Sequence, residues 1–251
     1  MGFEADFGQG AYALRLMPSW GLWSNERQIE VSLRQQRLLA FLAVQGTCRR
    51  ELVAGVLWPE SPEHSALDNL RVSIHRVTSA LPGLLRADRH AVELSPRVPV
   101  DLHREWELIS GTGAGAGGLH PGSTGLLLGW YEDWVLDEQS RLQRARTAYW
   151  RRAAGEALAR RDYAGAVESA TQGLHLDVLD EAALETMVVA QLGLGQCISA
   201  LQAIVGFRRR ASSELGIAGS PTLDRLEARV RHAAQASFAG FPGGGPGSWF
   251  I

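Results

Sequence analysis

The 251-residue chain contains no lysine, because all 25 of its basic residues are arginines. This absence excludes the lysine of a Walker phosphate-binding loop, the ATP-binding lysine of protein kinases and Schiff-base catalysis. Cysteine is scarce too, and the two that are present, Cys48 and Cys197, form neither a disulfide framework nor a CxxC zinc motif. We therefore expect a reducing, cytoplasmic setting.

Long apolar runs are also missing. The longest uncharged stretch, residues 108–131, carries eight glycines and one proline, which predicts a loop rather than a membrane helix. The N-terminal segment MGFEADFGQG has acidic residues and no apolar centre, so it is not expected to be a signal peptide. The remaining composition, 45% hydrophobic and 21% charged, is ordinary for a globular protein with a core.

Net charge is small in both parts of the chain. Residues 1–104 contain 12 arginines and 11 acidic residues, whereas residues 105–251 contain 13 arginines and 16 acidic residues. With histidine counted as neutral, the first part is net +1 and the second −3. This asymmetry has the sign expected of an N-terminal nucleic-acid-binding domain, but its size does not establish one.

Residues 11–100 follow the element order of an α+β winged helix-turn-helix domain. Short alternating runs between residues 11 and 31 predict two or three strands of an antiparallel meander. Helical periodicity then predicts three helices, at residues 33–45, about 49–58 and about 65–81. Two prolines in residues 59–64 predict a loop, and LRADRHAVELSP predicts a hairpin that turns at residues 87–89.

Residues 101–235 are predicted to form an all-α, tetratricopeptide-like helical-repeat domain. After Trp130 the pattern is helical, with breaks at Asp162, residues 177–180, Gly195 and residues 216–220. A set of four residues recurs 34 positions later, and this period is typical of tetratricopeptide helix pairs. The four positions hold Leu158, Asp162, Ala166 and Val167 in the first copy, and Leu192, Gln196, Ala200 and Leu201 in the second.

Three segments are predicted to lack regular structure. Residues 111–125 hold seven glycines in fifteen positions, which indicates a flexible linker or a long loop. Residues 1–10 are expected to be a flexible N-terminus, and the Gly/Pro-rich residues 236–251 a disordered tail.

The third predicted helix is the candidate DNA-reading element. One side carries an apolar stripe, and the opposite side is polar. The polar side and its flanks supply the predicted DNA-binding residues Arg71, Val72, Ser73, His75, Arg76 and Ser79, to which the hairpin adds Arg86 and Arg89. Arg76 can reach guanine O6 and N7, and Val72 can contact a thymine methyl. By itself, this pattern more often belongs to an ordinary amphipathic helix with a solvated face. The flanking strands and the hairpin with Arg86, Arg89 and His90 favour DNA reading instead.

No arrangement of residues predicts an active site, a metal site or a cofactor. The GxGxxG pattern at residues 113–118 neither follows a strand nor opens a helix, so a linker is favoured over a nucleotide site. His103, Glu105 and Glu107 lack metal-ligand spacing on a helix. Two further groups are expected to be structural: Trp130, Tyr131 and Trp134 as core, and Arg208, Arg209 and Arg210 as a solvated face. We predict that the protein is not an enzyme.

Two sets of segments carry a family resemblance. The N-terminal set is LRQQRLLAFLAV, ELVAGVLWPE, ALDNLRVSIHRVTSAL and VPVDLHREWEL, and the C-terminal set includes DWVLDEQSRLQ and FRRRASSELGIAGSPTLDRL. The first resembles the OmpR-type winged helix of the Streptomyces antibiotic regulatory protein family, and the second is similar to that family's bacterial transcriptional activator domain. The resemblance implies a cytoplasmic activator that binds direct repeats in double-stranded DNA near promoters, forms oligomers there and recruits RNA polymerase.

The loop at residues 59–64 is the candidate polymerase contact. Glu60 and Glu63 would repel DNA phosphates, and the resemblance implies a polymerase-contacting role for the matching loop. A plain surface connection is an equally good interpretation of these residues. At the level of the whole chain, the alternative to a DNA-binding activator is a helical-repeat adaptor whose winged helix no longer binds DNA.

Overall fold

The computed structural model describes residues 12–112, 120–217 and 219–239. Its first element is an antiparallel meander of the strands β1 (Tyr12–Arg15), β2 (Gly21–Ser24) and β3 (Arg27–Ile29). Leu22 of the central strand lies opposite Leu14 on one side and Ile29 on the other, so these apolar side chains share one face. The predicted meander is confirmed.

Three helices follow the meander: α1 (Leu33–Gln45), α2 (Arg50–Leu57) and α3 (Glu63–Ala80). Ser32 and Gln35 form a capping box at the start of α1, in which the side-chain Oε1 of Gln35 accepts a hydrogen bond from the Ser32 N–H at 2.9 Å. Gly46 ends α1 with a φ of 74°, which glycine adopts without strain. The three predicted helices are confirmed.

The loop before α3 is shorter than predicted. Helix α3 begins at Glu63, so Glu63 and His64 belong to the helix and not to a loop of residues 59–64. Pro62 is the residue before the helix, and its carbonyl accepts the first helical hydrogen bond, from Ala66 N–H at 2.9 Å. Proline is well suited to a helix start because the N–H that it lacks has no helical partner there.

A second sheet joins the three helices. Its strands are β4 (Cys48–Arg49), β5 (Leu85–Ala87) and β6 (Ala91–Leu94), in the spatial order β4-β6-β5. The predicted hairpin is present as β5 and β6, with its turn at residues 88–90 rather than 87–89. Strand β4 was not predicted, because two residues are too few to show an alternating pattern.

The next helix, α4 (Asp101–Ser110), is held to the meander by the carboxylate of Asp101. This carboxylate accepts hydrogen bonds from the N–H groups of Leu16 at 2.9 Å, Met17 at 2.9 Å and Leu102 at 2.8 Å. Burial raises the pKa of Asp101, and the three donated hydrogen bonds oppose this rise. The Asp101 side chain thus connects the start of α4 to Leu16 and Met17, which follow β1 and precede Asp101 by 85 and 84 positions.

Residues 126–135, which we call the strap, pack into the hydrophobic core formed by the meander and the first helices. The N–H groups of Leu127 and Leu128 donate to the carbonyl oxygens of Leu16 and Pro18, each at 2.8 Å. Trp134 packs edge-on against Phe41 of α1, with ring centroids 5.3 Å apart. The strap therefore belongs to the core that also holds the meander and α1.

The rest of the described chain is helical. It contains α5 (Asp133–Ala159), α6 (Tyr163–Leu176), α7 (Glu181–Gly193), α8 (Cys197–Leu215) and α9 (Pro221–Ala239). The predicted breaks are confirmed. The two sets of residues 34 positions apart occupy matching places: Asp162 and Gln196 precede α6 and α8, and Ala166 and Ala200 are fully buried. The tetratricopeptide-like assignment itself stays a prediction.

The chain divides into two compact units, Met1–Leu142 and Gln143–Ile251, and the division falls within α5. The predicted domain boundary at residues 100 and 101 lies inside the first unit.

Helix α9 continues to Ala239, beyond residue 236 where the tail was predicted to begin. The predicted flexible N-terminus 1–10, the rest of the tail and residues 113–119 of the glycine-rich segment lie outside the described residues. No helix in the described ranges has the length and apolar character needed to cross a membrane.

Replacing Asp101 by asparagine tests the connection between α4 and the meander. An asparagine offers one carbonyl oxygen, and its NH₂ group would face a backbone donor. We expect the free energy of unfolding to fall by about 1–3 kcal/mol, the cost of leaving buried polar groups unpaired. Urea denaturation followed by tryptophan fluorescence measures it.

Asp162→Asn is the matched control for Asp101→Asn. Asp162 precedes α6 and accepts a hydrogen bond from Gly165 N–H at 3.0 Å, a role that asparagine performs equally well. We expect little change in its unfolding free energy. Equal stability of the two variants would contradict the role assigned to Asp101.

Candidate nucleic-acid interface

The exposed side of α3 brings together most of the predicted DNA-binding residues. These residues follow one another at alternating intervals of three and one positions, so they lie on one face of the helix. We call this set the α3 face: Asp68, Arg71, Val72, His75, Arg76 and Ser79, all of them exposed. The opposite side is buried in the core through Ala66, Leu70, Ile74 and Val77.

Ser73 does not lie on the α3 face, although it was predicted to bind DNA. Its side chain is 5% exposed, and its hydroxyl donates to the carbonyl oxygen of Asn69 at 2.8 Å. A serine hydroxyl bonded to the preceding turn is satisfied within its own helix. The structure therefore separates Ser73 from the other predicted residues of α3.

The two arginines of the α3 face have no ion-pair or hydrogen-bond partner among the described residues. Within residues 12–112, 120–217 and 219–239, neither Arg71 nor Arg76 takes part in an ion pair or a hydrogen bond. In contrast, Arg208 contacts Asp224 at 2.6 Å and Glu227 at 3.0 Å. Each guanidinium of the α3 face therefore keeps its five N–H donors available for a ligand.

Val72 is the apolar member of the α3 face and is 46% exposed. His75 and Arg76, two side chains that can donate hydrogen bonds, lie three and four positions after it and so flank it on the helix surface. A face that combines hydrogen-bond donors with an exposed aliphatic group can bind a surface that presents both hydrogen-bond acceptors and methyl groups. The major groove of DNA is such a surface.

The hairpin of β5 and β6 places the other two predicted arginines at an exposed edge. Arg86 is 55% exposed and lies 3.9 Å from a carboxylate oxygen of Glu93, which is opposite it on β6. Arg89 is exposed in the turn, where its Nε donates to Nε2 of His90 at 2.6 Å. Of the two, only Arg86 has a carboxylate partner in the described chain.

The turn itself, residues 88–90, is closed by the carboxylate of Asp88. One oxygen accepts hydrogen bonds from His90 N–H at 2.7 Å and Ala91 N–H at 2.8 Å. The N–H of Asp88 in turn donates to the carbonyl oxygen of Ala91 at 3.0 Å. The hydrogen bonds from Ala91 and His90 lower the pKa of Asp88, so the carboxylate remains ionised well below neutral pH.

The start of α2 adds two arginines that the sequence analysis did not select. Arg49 is exposed and lies opposite Ala91 in the sheet, next to the turn. The N–H of Arg50 donates to the carbonyl oxygen of His90 at 3.0 Å, and its side-chain Nε is buried without a partner among the described residues. A helix N-terminus, two arginines and a basic turn thus meet at one corner. No local pattern indicates this corner, because it depends on pairing between β4 and β6.

The two acidic residues proposed to contact polymerase occupy different positions. Glu60 is exposed in the short loop between α2 and α3. Glu63 is exposed in the first turn of α3, where its negative charge is favourable to the positive end of the helix dipole. Glu63 therefore has a structural role whether or not it has a partner.

Most of the remaining predicted groups have structural contacts. Trp134 is buried and packs against Trp130 edge-on with ring centroids 6.3 Å apart. Tyr131 is 81% exposed, so its predicted place in the core was wrong. His103 donates from Nε2 to the carbonyl oxygen of Ala43 at 2.7 Å. Arg208 is engaged in two ion pairs and so departs from the predicted solvated arginine face.

Residues 117–231 match the model of the bacterial transcriptional activator domain. A solved structure, Mycobacterium tuberculosis EmbR in complex with a low-affinity phosphopeptide, is similar in fold to this chain, with a TM-score of 0.56 and 17% sequence identity. The match covers 91% of this chain and 68% of the EmbR chain. No curated protein matches the sequence.

The domain match supports a transcriptional activator, and the match to EmbR shows a similar fold. A small β-sheet region followed by a helical domain is the architecture that the chain has in common with EmbR. The matched domain points to a regulator rather than an enzyme, and to DNA and the transcription machinery as partners.

Proposed function

We propose that the protein is a sequence-specific DNA-binding activator that reads the major groove with the α3 face. The observation that carries this proposal is the pair of exposed arginines, Arg71 and Arg76, on a helix whose other side is buried. Neither has an ion pair or hydrogen bond in the part of the chain that the structure describes. An α-helix fits the major groove, and arginine bidentate to guanine is the commonest base-specific contact. Arg76 is assigned this contact, and Val72 a thymine methyl.

The corner formed by the hairpin turn and the start of α2 is assigned to the DNA backbone. Arg49 and Arg89 are exposed there, and the first N–H groups of α2 add a positive dipole end. Phosphate contacts orient a protein on DNA without reading its sequence. We therefore assign affinity to this corner and sequence preference to the α3 face.

Replacing Arg76 by alanine tests the assignment of base reading. We expect the binding free energy for the operator to weaken by about 1–3 kcal/mol and the preference at one base pair to relax. Gel-shift titrations with the upstream region of its own gene, at two salt concentrations, measure both effects.

Two matched variants control for charge and for helix structure in the Arg76 experiment. Arg229→Ala removes one exposed arginine from α9, and Ser73→Ala removes the buried hydroxyl of α3. We expect neither to change base preference. If Arg76→Ala bound every operator variant as the wild-type protein does, the α3 face would not be the reading surface.

We further propose that two copies bind neighbouring direct repeats. One unit of this size contacts only a few base pairs, which is too little to distinguish an operator within a genome. The family resemblance implies tandem binding, so the copies would lie on the same side of the DNA, about 10 bp apart. Contacts between them would be head-to-tail rather than two-fold symmetric.

Spacing of the repeats tests tandem binding. Inserting about 5 bp, half a helical turn, would rotate one copy to the opposite side of the DNA, whereas inserting about 10 bp would restore the alignment. We expect cooperative binding to be lost with the first insertion and largely recovered with the second. Equal cooperativity at both spacings would contradict this arrangement.

Recruitment of RNA polymerase is assigned to the loop before α3. Glu60 is exposed there, beside a helix that would lie in the groove, and its charge disfavours a DNA contact. A basic surface of the polymerase is the complementary partner. The resemblance also implies that the regulated promoter belongs to a secondary-metabolite gene cluster and that the protein works in the cytoplasm.

Neutralising both acidic residues, Glu60→Gln with Glu63→Gln, tests the polymerase contact. We expect the DNA footprint to be kept or strengthened while transcription from the target promoter falls. Glutamine is preferred to arginine because a positive charge at Glu63 would oppose the helix dipole. Glu107→Gln, an exposed acid on α4, is the control. Full transcription by the double variant would assign the polymerase contact elsewhere.

A helical-repeat adaptor without DNA binding is the second candidate function. It is favoured by the net charge of only +1 over residues 1–104, which is low for a nucleic-acid-binding domain. The salt titration separates the two functions. Binding of the upstream region that weakens as salt rises favours the activator, and absence of binding at both salt concentrations favours the adaptor.

A further inference from the structure

We propose that Asp88 is a positioning residue of the DNA-binding surface, which holds the hairpin turn closed so that Arg89 is fixed against a backbone phosphate. This inference rests on the proposed DNA binding and adds a residue with no direct DNA contact. An acidic side chain in a phosphate-binding corner is unexpected, because it repels phosphate through its charge. Its presence therefore needs a structural reason.

Hydrogen bonds supply that reason. The Asp88 carboxylate accepts from two consecutive N–H groups, those of His90 and Ala91, and its own N–H donates to Ala91. Three hydrogen bonds therefore hold a turn of three residues. An aspartate that bonds to backbone N–H groups just after it in this manner is a common turn-stabilising device.

The turn is also attached to the rest of the first unit. The carbonyl oxygen of His90 accepts from Arg50 N–H at 3.0 Å, and Ala91 pairs with Arg49 of β4. The backbone on both sides of Arg89 is thereby fixed, on one side by Asp88 and on the other by the start of α2. An arginine on a fixed backbone loses less entropy when it binds than one on a free loop.

The Arg89 side chain has donors left for a phosphate. Its Nε donates to the His90 ring, and the structure gives it no carboxylate partner within the described ranges. Asp88 directs its carboxylate to the backbone instead of to the neighbouring guanidinium. The same side chain thus orders the turn and leaves Arg89 available.

Two substitutions at Asp88 separate its effect on the order of the turn from the effect of its negative charge. Asp88→Ala removes both the charge and the hydrogen bonds, whereas Asp88→Asn removes the charge and keeps an oxygen acceptor for His90 and Ala91. We expect operator affinity to fall about fivefold for Asp88→Ala, the size of one lost ordered contact. Affinity should be retained or increased for Asp88→Asn.

Salt dependence and a double-variant comparison identify Arg89 as the residue through which Asp88 acts. For Asp88→Ala and for Arg89→Ala, the negative slope of log affinity against log salt should become shallower by about 0.9, the value for one phosphate contact. The double variant should bind no more weakly than Arg89→Ala alone. Asp162→Ala removes a comparable aspartate from the start of α6 and should leave operator affinity unchanged.

Several results would overturn the inference and leave the proposed function standing. One is wild-type affinity for Asp88→Ala when Arg76→Ala is impaired; another is an Asp88→Asn variant as weak as Asp88→Ala. Amide hydrogen exchange at His90 and Ala91 tests the turn without DNA, and exchange unchanged by Asp88→Ala would also overturn the inference. Absence of operator binding by the wild-type protein would instead reject the proposed function.

Discussion

The one-sided burial of α3 is the constraint on which the candidate site depends. Ala66, Leu70 and Val77 are each at most 2% exposed, and burying an aliphatic side chain such as leucine or valine contributes about 1.5–3 kcal/mol. Turning the helix by one residue would expose this stripe and bury arginine. The core therefore fixes which side of α3 is presented to a ligand.

Contacts between distant parts of the chain build the second half of the surface. Strand β4 pairs with β6 across more than forty positions, which carries the start of α2 to the hairpin turn. Arg49 and Arg89 become neighbours in the fold only through this pairing. In the proposed function, the helix discriminates between sequences and the separate basic corner supplies affinity, two tasks that protein–DNA interfaces generally divide in this way.

The C-terminal unit is stabilised by different means. Small side chains at helix contacts, such as Ala166, Ala190 and Ala200, are fully buried and allow close helix packing. Asp180 accepts from two N–H groups at the start of α7 and also from Arg151 at 2.7 Å. The segment matched by the activator-domain model spans both units, since the strap lies in the core of the first.

The sequence alone determined the order of the helices and their approximate limits, because helical periodicity, glycine and proline are local signals. It also predicted the α3 face almost completely, as the helix period places Arg71, Arg76 and their neighbours opposite the apolar stripe. Ser73 lies three positions after Leu70 and four before Val77, so the helix period itself places it on the buried side. The contacts of Asp101 and the corner around Arg49 were decided by tertiary structure. Each depends on hydrogen bonds or packing whose partners are set by strand pairing and helix rotation, which no local pattern encodes.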